Sequence, residues 1–179
     1  MLINICLIIV VIITGSILVN YNRFVKLNNK VKERESKIDV LLNQRFDLLP
    51  NLVECVKGYT EHESKTFEEL AKLRSTHDKD GFNIEQTEKI NKGFTKLIAV
   101  AEAYPELKAN ENFMNLQENL RLIEEQLNYA RLEYNAMVTR FNNLVQTIPS
   151  NIIAKIFLFE EKQLFKLEEE KKENIKISL

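Results

Sequence analysis

The residues that could do chemistry are few and scattered. Glu61-His62-Glu63 sets two carboxylates around an imidazole, the residue types of a metal site or an acid–base pair. On a helix, neighbouring side chains point about 100° apart, so these three cannot converge on one ion. A zinc-protease helix needs two histidines one turn apart, and His77, the other histidine, stands far along the chain. His77 falls in Thr76-His77-Asp78-Lys79-Asp80-Gly81, which reads as a loop. A solvated or capping histidine is expected there. Cys55, between Glu54 and Val56, has no activating base beside it, and Cys6 lies in an apolar run. Two buried free thiols are expected rather than a disulfide. Two Cys and two His cannot supply an ordinary four-ligand zinc site. The four glycines offer no phosphate-binding loop. The reading is therefore non-enzymatic, with no catalytic, cofactor-binding or metal residues and no small-molecule substrate. A net charge of -1 over 179 residues argues against nucleic acid as a partner.

What remains is polar chemistry placed on helices. Phe24, Leu27, Val31, Ile38, Leu41, Leu48, Leu52 and Cys55 step by threes and fours, with Arg34 and Arg45 filling two slots. An arginine in such a seam either sets register and partner choice or snorkels out along the helix. Asp39 and Asp47 are near enough in sequence to pair with them. Pro50 removes a backbone donor and frees a carbonyl near Phe46, which Asn51 or Arg45 could satisfy. The kink region is thus Arg45, Asp47, Pro50 and Asn51. A kink is favoured over a hairpin, since Leu48, Leu49 and Asn51 include no glycine for a tight reversal.

A second polar locus is Tyr104-Pro105-Glu106-Leu107-Lys108-Ala109-Asn110. Pro105 pushes Tyr104 out of the α region and ends the helix before it. Tyr104 and Leu107 should pin this corner to the bundle, with Glu106 and Lys108 exposed. The corner is either structural or an epitope shown to a partner. Asparagines crowd the following helix, among them Asn112, Asn115, Asn119, Asn135 and Asn142. They make either a solvated face or a polar groove for a partner.

The elements that position these residues are helical. Leu2 to Val19 is apolar but for Asn4, Thr14, Gly15 and Ser16. It reaches ~27 Å as a helix, close to a bilayer's hydrocarbon core. No basic stretch precedes it and no small-residue cleavage site follows, so it reads as an uncleaved anchor. Arg23, Lys26, Lys30 and Lys32 crowd its C-terminal side, which puts the N-terminus outside and the rest in the cytoplasm. The anchor helix should run on to about Ser75, interrupted at Pro50. A second helix is expected over Asn83–Ala103 and a third from Asn110 or Asn112 to Thr147. The third carries an unbroken seam from Phe113 through Leu120, Leu127, Tyr134 and Phe141 to Ile148, and Pro149 ends it. Ser150 to Phe159 is too short to span a bilayer. It is either a segment docked on the bundle or a surface-lying anchor. Glu160 to Leu179 reads as a flexible, charged tail.

Several blocks resemble the LemA family of bacterial membrane proteins. They are Tyr21-Asn22-Arg23-Phe24-Val25, Arg45-Phe46-Asp47-Leu48-Leu49-Pro50-Asn51-Leu52-Val53, Ala101-Glu102-Ala103-Tyr104-Pro105-Glu106-Leu107-Lys108-Ala109-Asn110, and Pro149-Ser150-Asn151-Ile152-Ile153-Ala154. The resemblance implies an N-terminal membrane helix carrying an antiparallel helical bundle, and it implies no enzymatic activity. The expected architecture is all-α: an anchor over 1–20, an up-and-down bundle of three to four long helices over 21–159, and a tail over 160–179. The expected place is the bacterial cell membrane, single-pass. The expected partners are the lipid bilayer and either other membrane proteins or further copies of the chain. A scaffold or interaction module is the leading function, and a regulatory subunit or sensor for a membrane enzyme such as a protease is the alternative.

Overall fold

The computed structural model describes residues 2–57, 64–102 and 104–166. Seven helices follow one another: α1 Leu2–Asp47, α2 Leu49–Lys57, α3 Ser64–Asp80, α4 Ile84–Glu102, α5 Pro105–Lys108, α6 Glu111–Gln146 and α7 Ser150–Ile156. No strand occurs among the described residues. The apolar N-terminal half of α1 has the length and hydropathy of a membrane span, and none of that stretch is buried within the protein. The apolar stretch and the first bundle helix are therefore one rod.

The central pair is α1 with α6. Lys37 meets Glu133 and Arg45 meets Glu124, so rising numbers on one helix match falling numbers on the other and the pair is antiparallel. Phe24, Val31, Ile38, Leu120, Leu127, Ala130, Tyr134 and Phe141 close the seam between them. From Ile38 onward the buried stripe of α1 widens to include Leu41, Leu42, Arg45 and Phe46. The cause is a second partner, the α3–α4 hairpin. Arg74 contacts Asp47, and His77 lies 3.0 Å from Asp39, so α3 runs antiparallel to α1. Gly93 on α4 admits Leu70 of α3 so closely that a Cβ there would stand 2.7 Å from its methyl group. The hairpin turns at Gly81, whose φ of +70° suits glycine and whose N–H caps α3 by donating to His77 O at 2.9 Å.

Three expectations about these elements change. Thr76–Asp80 is not a loop: it is the last turn of α3, and only 81–83 connects α3 to α4. Polar side chains there face water on one side of a helix that Gly81 terminates. The first bundle helix does not run to Ser75, because α2 ends at Lys57 and α3 returns along α1. The run Glu61-His62-Glu63 lies outside the described residues. The third helix stops at Gln146, leaving Ile148 beyond its seam and 82% exposed next to the cis peptide bond to Pro149.

The segment after α6 docks on the bundle. Ile153 and Ala154 of α7 are buried, and Ser150 Oγ donates to Leu144 O at 2.7 Å. The chain then runs extended back along α6. Asn142 exchanges two hydrogen bonds with the Lys162 backbone, both 2.8 Å. Asn135 does the same with Phe165, at 3.0 and 2.9 Å. The Tyr134 hydroxyl donates to Gln163 O at 3.1 Å, and the Phe165 ring packs on Tyr134. Residues 160–166 thus form a strap along α6, and the rest of the expected tail, 167–179, lies outside the described residues. Two amide side chains stand in for a neighbouring strand and satisfy a backbone that has no secondary structure of its own.

Candidate functional site

The kink and the corner both lie towards the end of the bundle away from the apolar span, and Asn51 of the one and Asn110 of the other line one groove. Helix α1 breaks at Leu48, where the N–H bonds back only three residues, to Arg45 O at 3.3 Å, and α2 resumes with Leu52 N bonding Leu48 O at 3.1 Å. Pro50 lies in the first turn of α2, where its missing N–H costs least. The carbonyl of Phe46 does not fall to Asn51 or Arg45. It accepts from Arg74 of α3 at 3.4 Å, and the same guanidinium holds Asp47 at 3.0 Å.

Just below the break lies a buried ionic layer. Arg45 is 4% exposed. Its guanidinium donates to Glu124 of α6 and to Asn91 Oδ1 of α4 at 2.9 Å, and it lies 4.4 Å from the centre of the Phe94 ring. Arg131 reaches the same Glu124 carboxylate at 3.3 Å. One carboxylate therefore serves two arginines. Burial holds Arg45 below its ordinary pKa, Glu124 pulls it back up, and Arg131 adds to the lowering. Arg34, one layer nearer the apolar stretch of α1, is half-buried and lies 3.5 Å from Glu133. The Glu133 carboxyl is held below the usual carboxylate range, first by the hydrogen bond from Lys37 and then by the two cations. Neither seam arginine pairs with Asp39 or Asp47, and Arg45 does not snorkel. Both find carboxylates on α6, far along the chain.

His77 also departs from expectation. It is 3% exposed, packs on the Phe46 ring, and sets Nε2 3.0 Å from Asp39 Oδ1. A loop would leave it solvated or capping. A helical α3 instead turns it inward, onto α1.

The corner is built from Tyr104 in an extended conformation (φ -110°, ψ 101°) followed by Pro105 at the start of α5. Leu107 is fully buried and Tyr104 packs partly against the core, while Glu106 and Lys108 are exposed. Asn110, not Asn112, caps α6, its side chain accepting from Phe113 N at 3.2 Å.

Two open grooves join these parts. One, of about 630 Å³, lies between α2 and α6 and is lined by Asn51, Cys55, Asn110, Asn112, Asn115 and Asn119. It brings a kink residue and a corner residue onto one asparagine-rich surface. Burial raises the Cys55 thiol pKa, and Glu54 adds to this, which disfavours the thiolate a nucleophile needs. The other groove, of about 580 Å³, runs between α4 and α6. Arg45, Glu124, Thr95, Gln117, Ile98 and Met114 are among the residues that line it. A lining that mixes hydrogen-bonding and apolar side chains suits a peptide or helix surface. Among the described residues no three His, Cys, Asp or Glu side chains cluster as metal ligands would.

The family model of the LemA family matches residues 34–179. Relatives include magnetosome protein MamQ 2 of Paramagnetospirillum magneticum, 22% identical over 185 residues, which cover 87% of this chain and 68% of that protein. Protein LemA of Metamycoplasma hominis is 23% identical over 138 residues, covering 75% of this chain and 63% of that protein. Magnetosome protein MamQ of Magnetospirillum gryphiswaldense is 21% identical over 179 residues, covering 84% of this chain and 66% of that one.

Proposed function

The chain belongs to the LemA family, and from that premise we propose that it is a non-enzymatic, single-pass membrane protein whose bundle is a scaffold or protein-interaction module. It is a helical, membrane-associated protein. The observation that carries the finer reading is the continuity of α1, 46 residues without a break from the apolar span into the core. At ~1.5 Å per residue, the 25 or so residues from Asn20 to Arg45 hold the ionic layer roughly 40 Å from the bilayer surface. Such a rod presents the grooves of the distal end to membrane neighbours at a fixed height. The partners of this reading are other membrane proteins or further copies of the chain.

The bundle is cytoplasmic in this reading. Arg23, Lys26, Lys30 and Lys32 follow the span, and no acidic residue appears before Glu33. Protease added to intact spheroplasts should leave the bundle uncut, and digestion from outside refutes the orientation.

A regulatory subunit of a membrane enzyme is the second reading. The helix break at Leu48, directly above a buried charged layer, favours it, because such a junction could hold two arrangements. Capture of the chain in mild detergent separates the two. Self-assembly or several sub-stoichiometric partners support the scaffold, whereas one stoichiometric enzyme supports the regulator. A chain that stays monomeric and alone in detergent and in intact membranes refutes both.

A further inference from the structure

Helix α7 has two unlike faces. Ile153 and Ala154 are buried against the bundle, while Ile152 and Ile156, one turn apart, are 56% and 61% exposed. Ile148 before the helix and Leu158 after it are more than four-fifths exposed. Leu158 closes α7 with φ at 56°, a left-handed conformation that any side chain with a Cβ disfavours. Phe159 N donates back to Ala154 O at 2.9 Å, which fixes this ending as a Schellman-type cap. Glycine is the usual residue at such a position. Here a leucine occupies it and points its side chain away from the protein.

This patch stands next to the end of the apolar span. The Tyr21 ring lies 4.7 Å from Phe157, Phe24 stacks on Phe159 at 4.7 Å, and Ile17, within the span, packs partly against the same core. The exposed isoleucines and Leu158 therefore continue the lipid-facing surface of α1. Around the corner, Arg23, Lys26, Lys30 and Arg140 line an open groove of about 990 Å³. They belong to none of the ion pairs among the described residues, and no acidic side chain lines the groove.

We propose that α7 is an interfacial helix, with Ile148, Ile152, Ile156 and Leu158 set into the bilayer leaflet from which α1 emerges, and with Arg23, Lys26, Lys30 and Arg140 at the level of the lipid phosphates. The occupant of the apolar patch is lipid. Its continuity with the span and the unpaired basic belt beside it both argue for this. Two attachments, one spanning and one lying in the surface, fix the tilt and rotation of the bundle, which a single helix would leave free. The proposal uses the spanning reading of α1 and is independent of the scaffold reading.

The test uses the full chain with Cys6→Ser and Cys55→Ser, reconstituted in phosphatidylcholine–phosphatidylglycerol vesicles. Single nitroxide labels are placed at Ile152→Cys, Ile156→Cys or Leu158→Cys. Met114→Cys on α6 serves as the distal control and Val11→Cys as the span control. Collision with oxygen and with a water-soluble nickel chelate is read by electron paramagnetic resonance. The α7 labels should show several-fold less nickel contact and more oxygen contact than Met114→Cys. Nickel contact equal to the control overturns the proposal, and so does spin–spin broadening between copies, which would make a second chain the occupant. Water-exposed Val11→Cys would overturn the spanning reading and α7 with it, whereas lipid-buried Val11→Cys beside water-exposed α7 labels sinks α7 alone. A second measurement leaves the patch intact. A phospholipid with an acyl-chain diazirine should label residues 148–158 of the unsubstituted sequence on illumination, and absence of label there contradicts the proposal.

Discussion

Glu124→Gln should be among the most destabilising single-atom changes in this protein. The substitution keeps the side chain's size, removes its charge and turns one acceptor oxygen into an amide donor. Two guanidiniums, those of Arg45 and Arg131, then face each other without the carboxylate both had contacted. Leaving a buried charge uncompensated costs about 3–5 kcal/mol at a fully enclosed site. Glu124 is itself one-third exposed, and water reaching that side screens part of the loss, so about 2–4 kcal/mol is expected. Arg45→Met works differently. It removes one of the two cations, keeps an apolar stem against Phe94, and leaves Glu124 with Arg131. Its cost should stay below about 1.5 kcal/mol, since the lost charged hydrogen bonds are offset by the desolvation no longer borne. The pair Arg45→Met with Glu124→Gln should therefore be more stable than Glu124→Gln alone. Thermal unfolding of the full chain in mild detergent, followed by circular dichroism at 222 nm, measures this. At ~2–4 °C per kcal/mol, Glu124→Gln should lower Tm by roughly 5–15 °C. If Glu124→Gln costs no more than Arg45→Met, or if the two effects simply add, the shared-carboxylate layer is not what holds this end together.

Leu127 is fully enclosed between α1 and α6, so Leu127→Ala should cost about 2–5 kcal/mol, and a Tm within a degree of the parent would show the seam to be misplaced. Tyr104→Ala should lower Tm clearly, while Glu106→Lys and Lys108→Glu leave it unchanged. If those charge reversals instead abolish capture of a partner at unchanged Tm, the corner is a docking epitope. Asn142→Ala should free the strap locally, exposing Lys162 and Lys166 to trypsin with little change in Tm, and unchanged cleavage would mean the amide clamp contributes nothing. Burial pushes the Tyr134 phenol up to about 12, and its hydroxyl donates to Gln163 O. A raised folded-state pKa stabilises the fold below the ordinary tyrosine value of about 10, and this contribution is lost as pH rises from there through the folded value. Strap protection by hydrogen exchange should fall over that alkaline range, and Tyr134→Phe should remove the part of the loss that this hydroxyl causes.

The parts of the fold legible in the sequence are those set by local chemistry. The seam of α6 announces itself because apolar residues recur at helical spacing, and Pro105 and Asn110 mark the corner because a fixed φ and a side-chain cap act within a few residues. The long apolar start of α1 is legible for the same reason. What sequence reasoning missed depends on partners far along the chain. Arg45 finds Glu124, separated by 79 positions, rather than the nearby Asp39 or Asp47. Asn135 and Asn142 look like two more polar residues on a solvated face until residues 160–166 lie against them. Their spacing of one heptad was the available signal. His77 was misplaced because a polar run before a glycine reads as a loop, although the same residues make a good last turn capped by Gly81. The apolar face of α7 was visible as composition, but which side faces the core and which faces outward follows only from packing.

The central claim is that the distal grooves, held at a fixed height above the membrane, engage other proteins. Photo-crosslinking in intact bacterial membranes tests it most directly. A photoreactive residue is placed at Asn115 in the α2–α6 groove or at Gln117 in the α4–α6 groove, and others at Thr139 and Lys155 nearer the bilayer. The account predicts discrete protein adducts, with another membrane protein or a second copy of the chain, from at least one of the two distal sites. It predicts that Lys155 yields lipid adducts instead. Lipid or water products alone at both distal sites, in membranes where the protein is intact and at its native level, would contradict it.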